Sequence, residues 1–208
     1  MKQNIRRVIL KSSVTGCMGL LGAACITACL LVSPSSLMAQ AATDKATRIA
    51  LGAVSGPAKS QVMIPLFLTP YPPEAPVGSV SATIGYKDKG ITFQRAEKSF
   101  LLDGVNGGID VKVKKDPKDP AKSVIHAEVT TKGEPRKSLR EGLLLTLVFK
   151  IEPDAPTSTT VNLAIDQASA SNLDSPPKPV QPIARKNGTI EIVAPEGVPY
   201  VSCFFFSH

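Results

Sequence analysis

Catalysis needs a base, a nucleophile or a metal within reach of one another, and in this 208-residue chain the candidates are few. There are two histidines, His126 and His208, and four cysteines, Cys17, Cys25, Cys29 and Cys203. Beyond residues 1–41, which read as a leader and hold three of the cysteines, no Cys or His pair stands at zinc-ligand spacing, no Gly-rich phosphate loop follows a strand pattern, and no Gly-x-Ser-x-Gly elbow occurs. His126 falls at an outward position of a period-two segment, where the expected role is a solvated surface histidine. His208 lies in the terminal stretch. Asp116 and Asp119 are interleaved with prolines and read as a polar turn, since no Asp-x-Asx-x-Asx-Gly loop is present. The 17 acids are scattered among charged turns, where they serve solubility. The expectation is a non-catalytic protein with no metal and no cofactor.

The start of the chain explains part of its charge. Met1 to Lys11 is basic, Cys17 to Val32 is apolar, Ser33-Pro34-Ser35-Ser36 breaks that run, and Ala39-Gln40-Ala41 offers small residues at the positions a signal peptidase reads. Residues 1–41 are therefore expected to be a signal peptide cleaved after Ala41, which makes the protein exported: extracellular, periplasmic or at the cell surface. Arg6-Arg7 resembles a twin-arginine signal and Ile26-Thr27-Ala28-Cys29 a lipoprotein box. A membrane enters the reading only if this leader is retained or lipidated. Residues 1–41 carry Lys2, Arg6, Arg7 and Lys11 and no acid, so their removal lowers the formal net charge from +7 to +3. That is too little, and too spread out, for a nucleic-acid footprint. Only Cys203 survives cleavage, so no internal disulfide is available and stability must come from core burial.

The remainder alternates with period two. Val80, Ala82, Ile84 and Tyr86 face one way and Ser79, Ser81 and Thr83 the other; the same pattern recurs at Ile109–Lys114, Val124–Val129 and Val161–Asp166, then in Thr189–Val193 after the turn dipeptide Asn187-Gly188. Two segments, 62–68 and 143–151, are apolar on both faces and are expected inside packed sheets. Pro65 within the first implies a bulge or an edge. Proline-rich stretches at 69–76, 116–120 and 175–182 read as loops, and no capped amphipathic helix is visible. Regular strands without helices predict an all-β fold, a two-sheet β-sandwich of about nine strands over residues 46–193, followed by an apolar tail at 194–208. The tail holds Cys203 and Phe204-Phe205-Phe206 and is too short to span a bilayer.

Four segments in order resemble the cohesin family, β-sandwich modules that bind dockerins in extracellular polysaccharide-degrading assemblies. They are Val54 to Leu66, with its Gly-Pro turn before Val62-Met63-Ile64-Pro65-Leu66; Ser79 to Phe93, ending in Tyr86, a polar turn and Ile91-x-Phe93; Leu139 to Ile151 followed by Asp154-Ala155-Pro156; and Gly188 to Ile192. The resemblance implies a jelly-roll with one open sheet built from the strands at 79–86, 109–114, 123–129 and 143–151. Its outward positions would be Ser79, Ser81, Thr83, Lys112, Lys114, His126, Glu128, Thr146, Val148 and Lys150, a mixed patch suited to a helical protein partner. Of these, Ser79, Ser81, Thr83, Lys112, His126 and Glu128 are the candidate partner-binding residues. Where the family places Asp and Asn on the third strand, this chain has Ser, Ser and Thr. The alternative is a carbohydrate-binding module with Tyr71 as the sugar contact, although Trp is absent and sugar rings stack on aromatic platforms. A structural role in the envelope is a third reading.

Overall fold

The computed structural model describes residues 45–194. The signal-peptide expectation and most of the tail, with Cys203 and the three phenylalanines, lie outside them. Eleven strands form two sheets: β1 (Thr47–Leu51), β2 (Ala53–Pro57), β3 (Gln61–Thr69), β4 (Val77–Lys87), β5 (Ile91–Lys98), β6 (Gly107–Lys115), β7 (Lys122–Thr131), β8 (Gly142–Ile151), β9 (Thr159–Asn172), β10 (Ile183–Lys186) and β11 (Gly188–Val193). One sheet runs β10-β1-β3-β8-β5 and the other β2-β11-β9-β4-β7-β6. The all-β sandwich expected from alternation is the observed architecture. A short 3-10 helix at Phe100–Val105, which the sequence pattern did not suggest, is capped by the Ser99 hydroxyl accepting from the Leu101 N–H.

Two strands more than expected arise because the first and last segments each change sheets midway. Gly52 separates β1 from β2, and Asn187 separates β10 from β11. The two switch points touch: the Thr189 N–H donates to the Gly52 carbonyl at 3.3 Å, and a Cβ on Gly188 would stand 2.5 Å from that oxygen. Asn187-Gly188 is thus a crossing between sheets rather than the hairpin turn expected of the dipeptide. Asn187 secures it by accepting from the Ile165 N–H through Oδ1 at 2.9 Å.

Pro65 follows from the same geometry. It sits in an inner strand, yet β1 leaves the sheet at Gly52, whose N–H donates to the Pro65 carbonyl at 2.9 Å. The proline nitrogen therefore stands where the neighbour departs and no ladder bond is forfeited. The bulge lies one residue further on, between Leu66 and Phe67.

One expectation about the sheets is corrected. The strand at 143–151 does not join those at 79–86, 109–114 and 123–129; as β8 it lies in the opposite sheet between β3 and β5. Val148, expected on the open face, is 1% exposed, and Thr146 and Lys150 belong to the outer surface of the other sheet. A strand apolar on both faces is covered best at the centre of a sheet, where Met63 and Arg95 flank Val148 in register. Its inward residues Leu145, Leu147, Phe149 and Ile151 are buried in the core with Ile64, Leu66, Ile84 and Ile125. Phe149 meets Tyr86 and Phe93 edge-on, with ring centroids 5.2 and 5.6 Å away.

Candidate functional site

The β9-β4-β7-β6 half of the second sheet turns one face outward, and its register arranges that face in rows. Ser171, Ser79, Thr130 and Gly108 form one row; Ser169, Ser81, Glu128 and Asp110 the next; Gln167, Thr83, His126 and Lys112 the third. All six candidates named from sequence are brought together here, and Lys114 joins them opposite Val124. Strand alternation puts them outward because Val80, Ala82 and Ile84, with Ile125, Ala127 and Val129, fill the core from the other face.

The β9 residues of these rows were missed. Alternation in β9 breaks at Asp166, where the pairing with β4 shifts between Thr83 and Ile84, so the residues after it change parity. Read afresh from that bulge, Gln167, Ser169 and Ser171 are outward and Ala168 and Ala170 inward; the Ala-Ser-Ala-Ser run at 168–171 was the available signal. The bulged Asp166 carboxylate accepts from Lys122 at 2.9 Å. That lysine crosses over Gly85, where an added Cβ would collide with its Cε.

The face is polar and only partly satisfied by itself. Ser79 and Ser171 hydroxyls bond at 2.7 Å, Lys112 donates to Asp110 at 2.6 Å, and Thr83 Oγ1 lies 3.1 Å from His126 Nδ1. The bond to Asp110 raises the Lys112 ammonium above its ordinary value. By contrast, the side chains of Ser81, Gln167, Ser169 and Glu128 make no hydrogen bond among the described residues. The opposite outer face differs: its charges pair with one another, Arg95 with Glu97 and Lys150 with Glu152. A Thr–His contact of 3.1 Å is of the length used by a hydroxyl nucleophile and its base, but His126 is exposed and no carboxylate among the described residues bonds its ring, so the pair has the form of a surface hydrogen bond. Among the described residues no group of three or more His, Cys, Asp or Glu is placed to hold a metal.

A shallow dish of about 400 Å³ lies at one side of this face, lined by Ser81, Thr83, Gln167, Ala168, Ser169 and Arg185. Tyr71, the candidate sugar contact, lies apart in the loop after β3 and is 39% exposed, its backbone N–H held by Thr47 Oγ1 at 3.0 Å.

A second cleft opens between the free edges of β5 and β6, over Tyr86, Phe93 and Val113. Burial there pushes the Tyr86 phenol above its usual value near 10.0, outweighing the lowering by its hydrogen bonds to Ser123 and the Phe93 backbone. The folded state therefore keeps a proton that the unfolded chain releases, and stability falls as pH climbs through the ordinary tyrosine range. Urea midpoints measured between about pH 9 and 11 should decline, and Tyr86→Phe should flatten that decline. An unchanged slope in the variant would assign the loss to other groups.

Neither a family model nor a curated sequence matches the chain. Solved structures do. A non-cellulosomal cohesin from the archaeon Archaeoglobus fulgidus is 19% identical, with a TM-score of 0.55 over 72% of this chain and 93% of its own. A type I cohesin–dockerin complex from Clostridium thermocellum is 18% identical, with a TM-score of 0.54 over 73% of this chain and 96% of the matched chain. The sixth cohesin of Acetivibrio cellulolyticus scaffoldin B, solved with a Cel5 dockerin, is 16% identical, with a TM-score of 0.53 over 70% and 98%. At such identities what is shared is the backbone architecture, and residues 45–194 form a diverged β-sandwich with the cohesin fold.

Proposed function

We propose that this chain is an exported, non-catalytic protein-binding module, and that a dockerin-like or diverged helical protein lies across the outer face of β9, β4, β7 and β6. The observation that carries the reading is the set of open donors and acceptors on that face, Ser81, Gln167, Ser169 and Glu128, on a surface kept level by small side chains. A partner that leaves them unbonded would incur a desolvation cost, so they select a polar, complementary surface. The dockerin complexes of two fold neighbours support a protein as the occupant. The leader-like residues 1–41 support export, and with the fold they support membership of an extracellular assembly linked to polysaccharide breakdown.

The test is capture from the host's secreted fraction, with the full chain as bait and the Ser81→Glu/Thr83→Glu double variant beside it. Two added carboxylates at the centre of the face should cut capture of the same partner by about a hundredfold. Equal capture by both baits would move the interface elsewhere, and retention on insoluble glycans without any captured protein would favour the carbohydrate reading. Export has its own check: mass spectrometry of the secreted protein should find Ala42 at the N-terminus. An intact leader, or a terminus lipidated at Cys29, would overturn the cleavage.

A further inference from the structure

We infer that the dish between β4 and β9 is an anchor for a single carboxylate, an aspartate or glutamate presented by the partner; this rests on the partner face proposed above and names its chemistry. The dish exists because β9 lacks a strand neighbour there. Its pairing with β11 ends at Leu163↔Gly188, side chains of Asn187 and Arg185 bond Ile165 and Asp166, and backbone-to-backbone bonding on this side resumes at Ala170, whose carbonyl accepts from the Val180 N–H at 2.8 Å. Along a strand, backbone groups two residues apart point to the same side, so those of Ala168 face this gap with Ala170, and no strand pairs with them among the described residues.

Arg185 reaches into the gap from β10 in the opposite sheet. Its Nη1 donates to the Ile165 carbonyl at 3.2 Å and to the Asp166 carbonyl, which fixes the guanidinium plane at the rim. Two of its nitrogens, Nε and Nη2, remain uncommitted, and Arg185 has no ion pair among the described residues. No acid among the described residues lines the dish, and the nearby Asp166 carboxylate is already held by Lys122. What remains is a planar two-donor fork beside the Ser81, Thr83 and Ser169 hydroxyls and the Gln167 amide. That is the complement of a carboxylate, which takes two parallel N–H bonds from arginine and further bonds from hydroxyls. A neutral amide offers one acceptor oxygen where a carboxylate offers two, so it would leave one arm of the fork unbonded and the charge uncompensated.

The proposal is tested by NMR titration of the full chain with N-acetyl-aspartate methylamide against its isosteric control, N-acetyl-asparagine methylamide. The aspartate probe should shift the backbone amides of Ser81, Thr83 and residues 167–169, and bind about tenfold tighter than the amide. Arg185→Gln should erase that difference. Because Arg185 also holds two carbonyls, Gln167→Glu serves as a second variant that leaves those bonds in place; it should repel the aspartate probe and gain response to N-acetyl-lysine methylamide. Equal response to both probes, or a preference that survives both variants, would overturn the anchor. Neither probe depends on a captured partner, so a failed titration beside the expected loss of capture in the double variant rejects only the anchor, and equal capture by both baits beside an intact titration rejects the proposed interface while the carboxylate site stands.

Discussion

Truncating Phe149 to alanine is expected to destabilise the sandwich by about 3–5 kcal/mol, the range for emptying a fully buried aromatic position. Phe149 is 0% exposed, on the inner strand β8, and its ring is the shared partner of two edge-on contacts, with Tyr86 from the opposite sheet and with Phe93, its register partner on the neighbouring strand β5. Its loss removes apolar burial, both ring contacts and the bridge between β8 and β4 at once. A rigid two-sheet core cannot close over such a void, because the neighbours Leu147 and Ile151 are tied to their own ladder positions. Urea unfolding followed by far-ultraviolet circular dichroism should show a lower midpoint with little change in slope. Phe149→Leu, which keeps most of the volume, should recover more than half of the loss; a Phe149→Ala midpoint matching the parent would mean the core is not organised around this ring.

The second large effect is expected at the sheet crossing. A Cβ at position 188 would lie 2.5 Å from the Gly52 oxygen and 2.7 Å from the Leu51 Cβ, and both obstacles belong to the chain segment that is itself changing sheets. Neither is the loose end of a side chain, so Gly188→Val must push β1–β2 away from β10–β11 and unseat both parallel edge pairings. A loss of about 3 kcal/mol or more follows from overpacking of this kind. Gly108→Ala is the matched control on an outward position of β6, where the nearest atom is the end of Lys132 at 3.7 Å; its effect should stay within about 0.5 kcal/mol. Equal midpoints for the two variants would refute the close approach of Gly52 and Gly188.

The alternations at 79–86, 109–114 and 124–129 could be read directly because each strand has one face in the core and one in water, and the chain repeats that contrast every second residue. Where the contrast fails, the reading fails. Leu143 to Ile151 is apolar on both faces, and periodicity is silent about which sheet such a strand enters; the family resemblance places it in the open sheet, and it belongs to the other. The bulge at Asp166 inverted the parity of β9 and hid three outward residues of the candidate face. Arg185 stands in no recognisable pattern, since its neighbours across the dish are sixteen and more residues away in sequence and meet it only through the gap beside β9.

What the sequence determined alone is the class of fold and the outward polarity of β4, β6 and β7, since burial of alternate side chains is a local property of the chain. Tertiary structure decided the partition of strands between sheets, the crossing of Gly52 with Gly188 and the dish beneath Arg185. Those depend on which distant segments compete for the same edge, and the outcome of that competition is set by packing volume and backbone hydrogen bonding across the whole sandwich, not by any single stretch of residues.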